Sequence, residues 1–336
     1  MSAAVEPRIS VLVITRNRAH LLPRLMQALW RQDFPRDRFE VVVIDDGSSD
    51  STREYLAGLG DAVRWFSQSP GGVAKARNAS VRQARGSILA FTDDDCVPQP
   101  DWLRTIDREM AARQSNAALL GRTYSELPAS TFVHSVFKDS EPVVTCNFAV
   151  TKDAFQRAGG FDEHFTWYFE DEDLGLRLKQ NGCPVHYVPG MVVFHPSRYQ
   201  GFRQYLRQRS GLQFCFYMNR KHPREGVWTR NRHLFAQMKR KAILFGIPFV
   251  TGFIWRPAFA ALLAVLALHV ALDGWRVWKN YAKLEGTGLR ARPVDLLLFA
   301  SLNWTIPFVD GFQMARGWIR DGLLAGRKQT DRPTFA

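Results

Sequence analysis

A chain of 336 residues, 46% of them hydrophobic and without a repeat or low-complexity tract, has enough apolar content to bury a large core in one or two domains. The formal net charge of +13 leaves nucleic acid, an anionic membrane or a phosphorylated substrate as partner classes. The four cysteines, Cys96, Cys146, Cys183 and Cys215, lack metal-ligand spacing, which excludes a cysteine-built metal module and fits reduced thiols; the short polar start carries no secretory apolar core, so the front of the chain is expected in the cytoplasm.

In chain order, residues 9–14 form a near-continuous β-branched run, the pattern of a strand buried on both faces. Thr15-Arg16-Asn17-Arg18 follows at its carboxyl end. Leu21, Leu22, Leu25, Met26 and Leu29 then recur at helical spacing. Residues 40–44 predict a second strand, ending in Asp45-Asp46-Gly47-Ser48. Ser51 and Glu54 have capping-box spacing at the start of a second helix. Residues 62–66 predict a third strand, and Gly71-Gly72 leads into a helix carrying Lys75, Arg77 and Asn78. Residues 87–92 predict a fourth strand that ends abruptly in Asp93-Asp94-Asp95.

Three adjacent carboxylates repel one another, so folding alone does not ask for them. They close a polar turn or they serve a hard cation such as Mg²⁺ or Mn²⁺. Four strand–helix alternations predict a parallel α/β sheet, whose ligands bind beyond the carboxyl ends of the strands. All four polar clusters follow their strands and therefore converge on one crevice. Further on, 117–121, 143–150, 185–188 and 192–194 read as strands, the last delivering His195. Gly159-Gly160-Phe161-Asp162 reads as a turn. Glu170-Asp171-Glu172-Asp173 opens a helix in which Asp173 and Arg177 stand four apart as an ion pair.

These motifs, in this order and spacing, resemble family 2 glycosyltransferases of bacterial type over about residues 8–200. The resemblance implies a GT-A fold, a mostly parallel Rossmann-like sheet flanked by helices, and an inverting, metal-dependent, hexosyltransferase-type enzyme. It implies a nucleotide-diphosphate sugar donor and Mn²⁺ or Mg²⁺. Carried over by position, it puts Thr15, Arg16 and Asp45 at the nucleoside, Lys75, Arg77, Asp93 and Asp94 on the diphosphate-sugar side, and Asp93, Asp95 and His195 at the metal. Asp171 is then the catalytic base, with Asn147, Glu170 and Asp173 at the acceptor or in positioning roles. The chemistry requires two acidic sites, one for the departing diphosphate and one to take the acceptor's proton. A sugar-phosphate nucleotidyltransferase needs a glycine-rich loop where Thr15-Arg16-Asn17-Arg18 stands. A non-catalytic membrane scaffold has no use for Asp93, Asp95 and Asp171 together.

The expected organisation is a catalytic domain over 1–200, a basic amphipathic helical segment over 201–241 and an apolar and basic helical region over 242–336. Residues 243–272 and 294–309 are apolar stretches broken by Pro248, Arg256-Pro257, Asn303 and Pro307. Basic flanks on apolar helices predict association with an anionic membrane surface, not nucleic acid, at the cytoplasmic face of the plasma membrane. A soluble helical subdomain is the alternative. The acceptor expected there is a lipid-linked or glycan precursor of a cell-surface polysaccharide.

Overall fold

The computed structural model describes residues 6–113, 116–127, 133–134, 136, 138–139 and 142–225, with isolated positions between 268 and 320. In order the elements are β1 (Ile9–Thr15), α1 (Leu22–Trp30), β2 (Phe39–Asp45), α2 (Thr52–Gly58), β3 (Arg64–Ser67), α3 (Val73–Gln83), β4 (Ile88–Thr92), β5 (Val97–Pro98) and α4 (Trp102–Ala112). Then come β6 (Ala118–Tyr124), β7 (Val133–His134), β8 (Asn147–Thr151), α5 (Lys152–Arg157), α6 (Glu170–Gln180), β9 (Val185–Phe194), β10 (Arg198–Tyr199), α7 (Phe202–Ser210) and α8 (Cys215–Lys221).

The main sheet has the order β3-β2-β1-β4-β8-β6-β9-β5. β1, β2, β3 and β4 pair in parallel, β8 is antiparallel to both β4 and β6, and β9 is parallel to β6. Hence β1, β2, β3, β4, β6 and β9 all run one way, and β8 and β5 run against them. The four strands read as parallel are so, and the whole sheet is mixed but mostly parallel, as expected, with β8 and β5 reversed. Its common direction still brings the ends of β1, β2, β4 and β9, and with them Thr15, Asp45, Asp93 and His195, to the same edge.

Apolar side chains alternate between the two faces of the sheet. Ile9, Val11 and Val13 pack with Leu22, Leu25, Met26, Leu29 and Trp102, Ile106 of α1 and α4. Leu12, Val42, Leu89 and Phe91 pack with Ala74 and Val81 of α3 and Leu174, Leu178 of α6. Phe91 lies 6.2 Å from Phe148, 6.0 Å from Phe155 and 5.5 Å from Phe161, all fully buried. Each such side chain contributes about 1.5–3 kcal/mol. Phe161 thereby fixes the Gly159-Gly160-Phe161-Asp162 turn beneath the strand that carries the three aspartates.

Several local expectations change. The strand expected over 143–150 begins only at Asn147. The two strands expected over 185–188 and 192–194 are one, β9, whose register with β6 jumps from Gly121↔Val188 to Arg122↔Val192. Ser51 makes no side-chain cap for α2; Asp50 Oδ1 instead accepts from the Thr52 amide at 3.1 Å and its hydroxyl at 2.5 Å.

The chain divides into two compact units. Among the described residues the first runs to Glu126 and resumes from Val136 to Pro196; the second takes Leu127–His134 and continues from Ser197. The second holds the antiparallel pair β7–β10 and the helices α7 and α8, with Phe202, Leu212, Phe214 and Met218 buried. Among the described residues no helix is long and apolar enough to cross a membrane. The apolar stretches 243–272 and 294–309 fall outside them apart from single positions.

Candidate active site

The sheet edge gathers the first polar cluster directly. Thr15 closes β1 and donates its hydroxyl to Asp94 Oδ2 at 2.7 Å. Asn17 holds the left-handed backbone, φ 54°, a conformation Asn tolerates well. Its amide donates to Ser48 Oγ at 2.8 Å and its Oδ1 accepts from the Ser49 amide at 2.7 Å. That turn swings Arg18 back over the edge, where Nη1 reaches Asp94 Oδ1 at 2.6 Å and Asp95 Oδ2 at 3.2 Å. Burial raises the Asp94 carboxyl to about 6, aided by the charge of Asp95 and opposed by Arg18 and Thr15. Burial works against the Arg18 cation, but Asp94 and Asp95 outweigh it and hold its pKa above the ordinary value.

Beside this pair, ligand atoms of Asp93, Asp95, Cys96 and His195 lie within 4.8 Å of one another. His195 Nε2 stands 3.4 Å from Asp95 Oδ1, and the His195 amide donates to Tyr124 O at 2.9 Å. Asp93 is half-buried, so the cluster opens to solvent on that side, while Asp95, Cys96 and His195 are buried. Two carboxylates, an imidazole and a thiol around one small volume fit a divalent cation. Burial drives the Cys96 thiol well above its ordinary range, reinforced by Cys146, Asp93 and Asp95.

The nucleoside-side residues separate into distinct jobs. Asp45 is fully buried and accepts from Arg53 Nε at 2.7 Å, Ser67 Oγ at 2.9 Å and the Ser48 amide at 2.9 Å. Burial pushes its pKa up, and these bonds more than cancel that, leaving the carboxyl below its ordinary value. Asp46 accepts from Gln68 Nε2 at 2.7 Å and from the amides of Gly71 and Gly72 at 2.8 and 3.0 Å. It therefore anchors the loop that starts α3.

The second acidic centre is held from α3. Gly72 has φ 88° and ψ 170°, and a Cβ there would fall 2.5 Å from Thr166 O. The following amide, of Val73, donates to that same oxygen at 2.9 Å. Asn78 accepts from the Phe161 amide at 2.9 Å and donates to Phe161 O at 2.9 Å and Glu163 Oε1 at 3.0 Å. Arg77 is buried between Glu170 Oε1, 2.7 Å from Nη1, and Asp93 Oδ1, 3.4 Å from Nη2. Phe169 takes the left-handed conformation at φ 73°, an outlier for a bulky residue, and turns the chain into α6. Burial raises the Asp171 carboxyl to about 7, helped by the charge of Glu170 and opposed by Arg77. A half-buried carboxylate poised near neutrality suits a general base.

A sequence profile of the family described as glycosyl transferase family 2 matches residues 10–168. Validoxylamine A glucosyltransferase of Streptomyces hygroscopicus subsp. jinggangensis is 31% identical over 290 residues, covering 71% of this chain and 68% of that protein. The chain belongs to glycosyl transferase family 2. Beta-monoglucosyldiacylglycerol synthase of Synechocystis sp. is 30% identical over 84% of this chain and 65% of that protein. The structure of the mannosyltransferase PcManGT from Pyrobaculum calidifontis, in complex with GDP-Man and Mn²⁺, shares the fold at a TM-score of 0.53 and 19% identity, covering 92% of this chain and 87% of that one. The GT-A-like α/β architecture is thus the family's.

Within this family 2 fold, Thr15, Asp93, Asp94, Asp95 and His195 meet at one edge, and Arg77 joins them to Glu170. Arg16 and Lys75 are exposed and make no ion pair among the described residues. Asp173 is fully buried and takes Arg177 Nε and Nη2 at 2.8 and 2.6 Å, the expected helical pair. Asn147, expected at the acceptor or in a positioning role, ties four elements together. It is fully buried, accepts from Trp102 Nε1 at 2.9 Å and donates to Arg122 O and Met191 O, both at 2.9 Å. Gly121 leaves the room, since a Cβ there would meet Asn147 Nδ2 at 2.4 Å. Asn147 is a pin between β6, β8, β9 and α4. Arg18, Asp46 and Asn78 carry site functions that the sequence reading did not assign; Asn17, prone to left-handed backbone, was the available signal for Arg18.

Proposed function

We propose that the chain transfers a sugar, with inversion, from a nucleotide-diphosphate donor to a hydroxyl acceptor. The observation that carries this reading is the pair of acidic centres on either side of Arg77, Asp93–Asp95–His195 and Asp171. Asp171 takes the proton as the acceptor O–H bond breaks and the new C1–O bond forms. The old bond from C1 to the diphosphate oxygen breaks with its electron pair on the nucleoside diphosphate. Asp93, Asp95 and His195 would hold Mn²⁺ or Mg²⁺, which supplies charge neutralisation for the departing diphosphate. Asp45 and Thr15 orient the nucleoside side, and Arg18 keeps Asp94 and Asp95 from repelling each other.

The sugar is a hexose, a reading supported by the glucosyl and mannosyl transferases among the similar proteins. A glycan or lipid-borne acceptor fits the similarity to a glycolipid synthase and the charge of α7 and α8. Residues 197–224 include Arg198, Arg203, Arg207, Arg209, Arg220, Lys221 and Arg224 and no acidic residue, which suits an anionic membrane at its cytoplasmic face. The test is thermal denaturation of the full chain with UDP, dTDP or GDP, each with and without Mn²⁺, alongside Asp95→Asn. One nucleotide should stabilise the wild type with Mn²⁺, by about 2.7 kcal/mol at a hundredfold excess over Kd, and not the variant. No stabilisation by any of the three would sink the donor assignment.

A further inference from the structure

We propose that Arg77 and Glu170 form a positioning pair for the base, through which α3 fixes both the place and the proton affinity of Asp171. The inference rests on Asp171 being the general base. Three contacts fasten α3 to the segment that leads into α6: Gly72 and Val73 on Thr166 O, Asn78 on the Phe161 backbone, and Arg77 on Glu170. The last is buried on both sides, and the Arg77 guanidinium also stacks 5.7 Å from the Phe161 ring centroid. Glu170 Oε2 is buried without a hydrogen-bond partner, and Arg77 is the one ion-pair partner of Glu170 among the described residues.

The unusual backbone at Phe169 gives this pair its mechanical role. A bulky residue in the left-handed region is strained and persists only when its surroundings hold it there. The Arg77–Glu170 bond lies immediately after that residue and holds the first turn of α6 against α3. Asp171 is the next residue along.

The same charges set the proton equilibrium. Asp171 faces Glu170 and Glu172 from its own helix and Arg77 from α3, with Asp93 on the far side of Arg77. Glu170 favours the protonated base and Arg77 the ionised one. The two charges therefore act in opposite senses, and removing them one at a time separates charge control from mere damage.

The experiment follows the ¹³C carboxyl shift of Asp171 against pH in the full chain, with the signal assigned by its loss in Asp171→Asn. Arg77→Met should move the titration midpoint upward and Glu170→Gln should move it downward, each by roughly one unit or more. Arg77→Lys, which restores the charge, should return the midpoint close to the wild-type value. Thermal denaturation checks that each variant is folded; if Arg77→Met does not fold, Glu170→Gln decides alone. An unchanged midpoint in folded Glu170→Gln, or shifts of the same sign in Glu170→Gln and Arg77→Met, overturns the proposal. Full transfer activity in Asp171→Asn would instead overturn the assignment of the base, an outcome that the titration does not depend on.

Discussion

Gly72→Ala isolates the contact between the donor-side helix and the segment carrying the base. The residue sits at φ 88° and ψ 170°, a region open in practice only to glycine, and forcing alanine into it costs about 1–3 kcal/mol. The added methyl would stand 2.5 Å from Thr166 O, a backbone atom that yields only if the segment retreats. Retreat loses the Val73–Thr166 hydrogen bond, about another 1 kcal/mol. The sum is about 2–4 kcal/mol, or a fall in Tm of roughly 5–15 °C for a folding unit of this size. Movement of the base by an ångström should also lower kcat about a hundredfold while leaving nucleotide affinity largely intact. Gly58→Ala is the control: its methyl meets nothing within 4 Å, and it should gain up to about 1 kcal/mol of helix stability. Differential scanning calorimetry reads both. A Gly72→Ala protein that melts within a degree of wild type, with normal kcat, would show that Thr166 does not bear on α3 as described.

Asp171→Asn should lower transfer by about 10²–10⁴ with nucleotide and metal binding retained, and wild-type kcat should rise with pH through about 7, because the base works only when deprotonated. An acid limb near pH 4 would contradict the raised carboxyl. Asn147→Ala should destabilise by about 3–5 kcal/mol, leaving the Trp102 indole and two carbonyls without their partner, yet keep donor KM in the folded protein; a Tm equal to wild type would refute the pin. Asp45→Ala should raise donor KM about ten- to a hundredfold, whereas Asp46→Ala should act first on stability by releasing Gly71 and Gly72; the reverse order would exchange the two carboxylates.

The strands β1, β2 and β4 were legible because each is largely buried on both faces and reads as a near-continuous apolar run. The triple aspartate was legible because its self-repulsion has no folding purpose. What escaped notice depends on tertiary geometry. Residues 143–146 are apolar enough for a strand, and Val143 and Cys146 are buried, but β8 pairs with β4 only from Asn147 onward. The capping pattern at Ser51 lost to Asp50, whose carboxylate reaches Thr52 first. Arg16 and Arg18 are indistinguishable in a loop until the turn at Asn17 decides which one faces the aspartates. The family resemblance put Arg77 on the diphosphate side; its salt bridge to Glu170 spans a distance in sequence that no local pattern encodes.

That span has a consequence for how the protein can be cut and how it is made. Arg77 and Glu170 are 93 residues apart, and the Asn78–Phe161 bonds close a loop of similar length, 83 residues. Closing long loops is slow more than it is costly at equilibrium. During synthesis, strands β1 to β4 and the aspartates emerge well before the residues that complete the buried charge of Arg77. A fragment ending before Gly159 would keep the ends of β1, β2 and β4 but lose the Phe161 ring and Glu170 that pack on Arg77, and with them Leu174 and Leu178, which cover the face of the sheet carrying Leu12, Leu89 and Phe91. The nucleotide-facing half is for this reason not a module that can be excised, and the shortest fragment that folds should extend at least through α6.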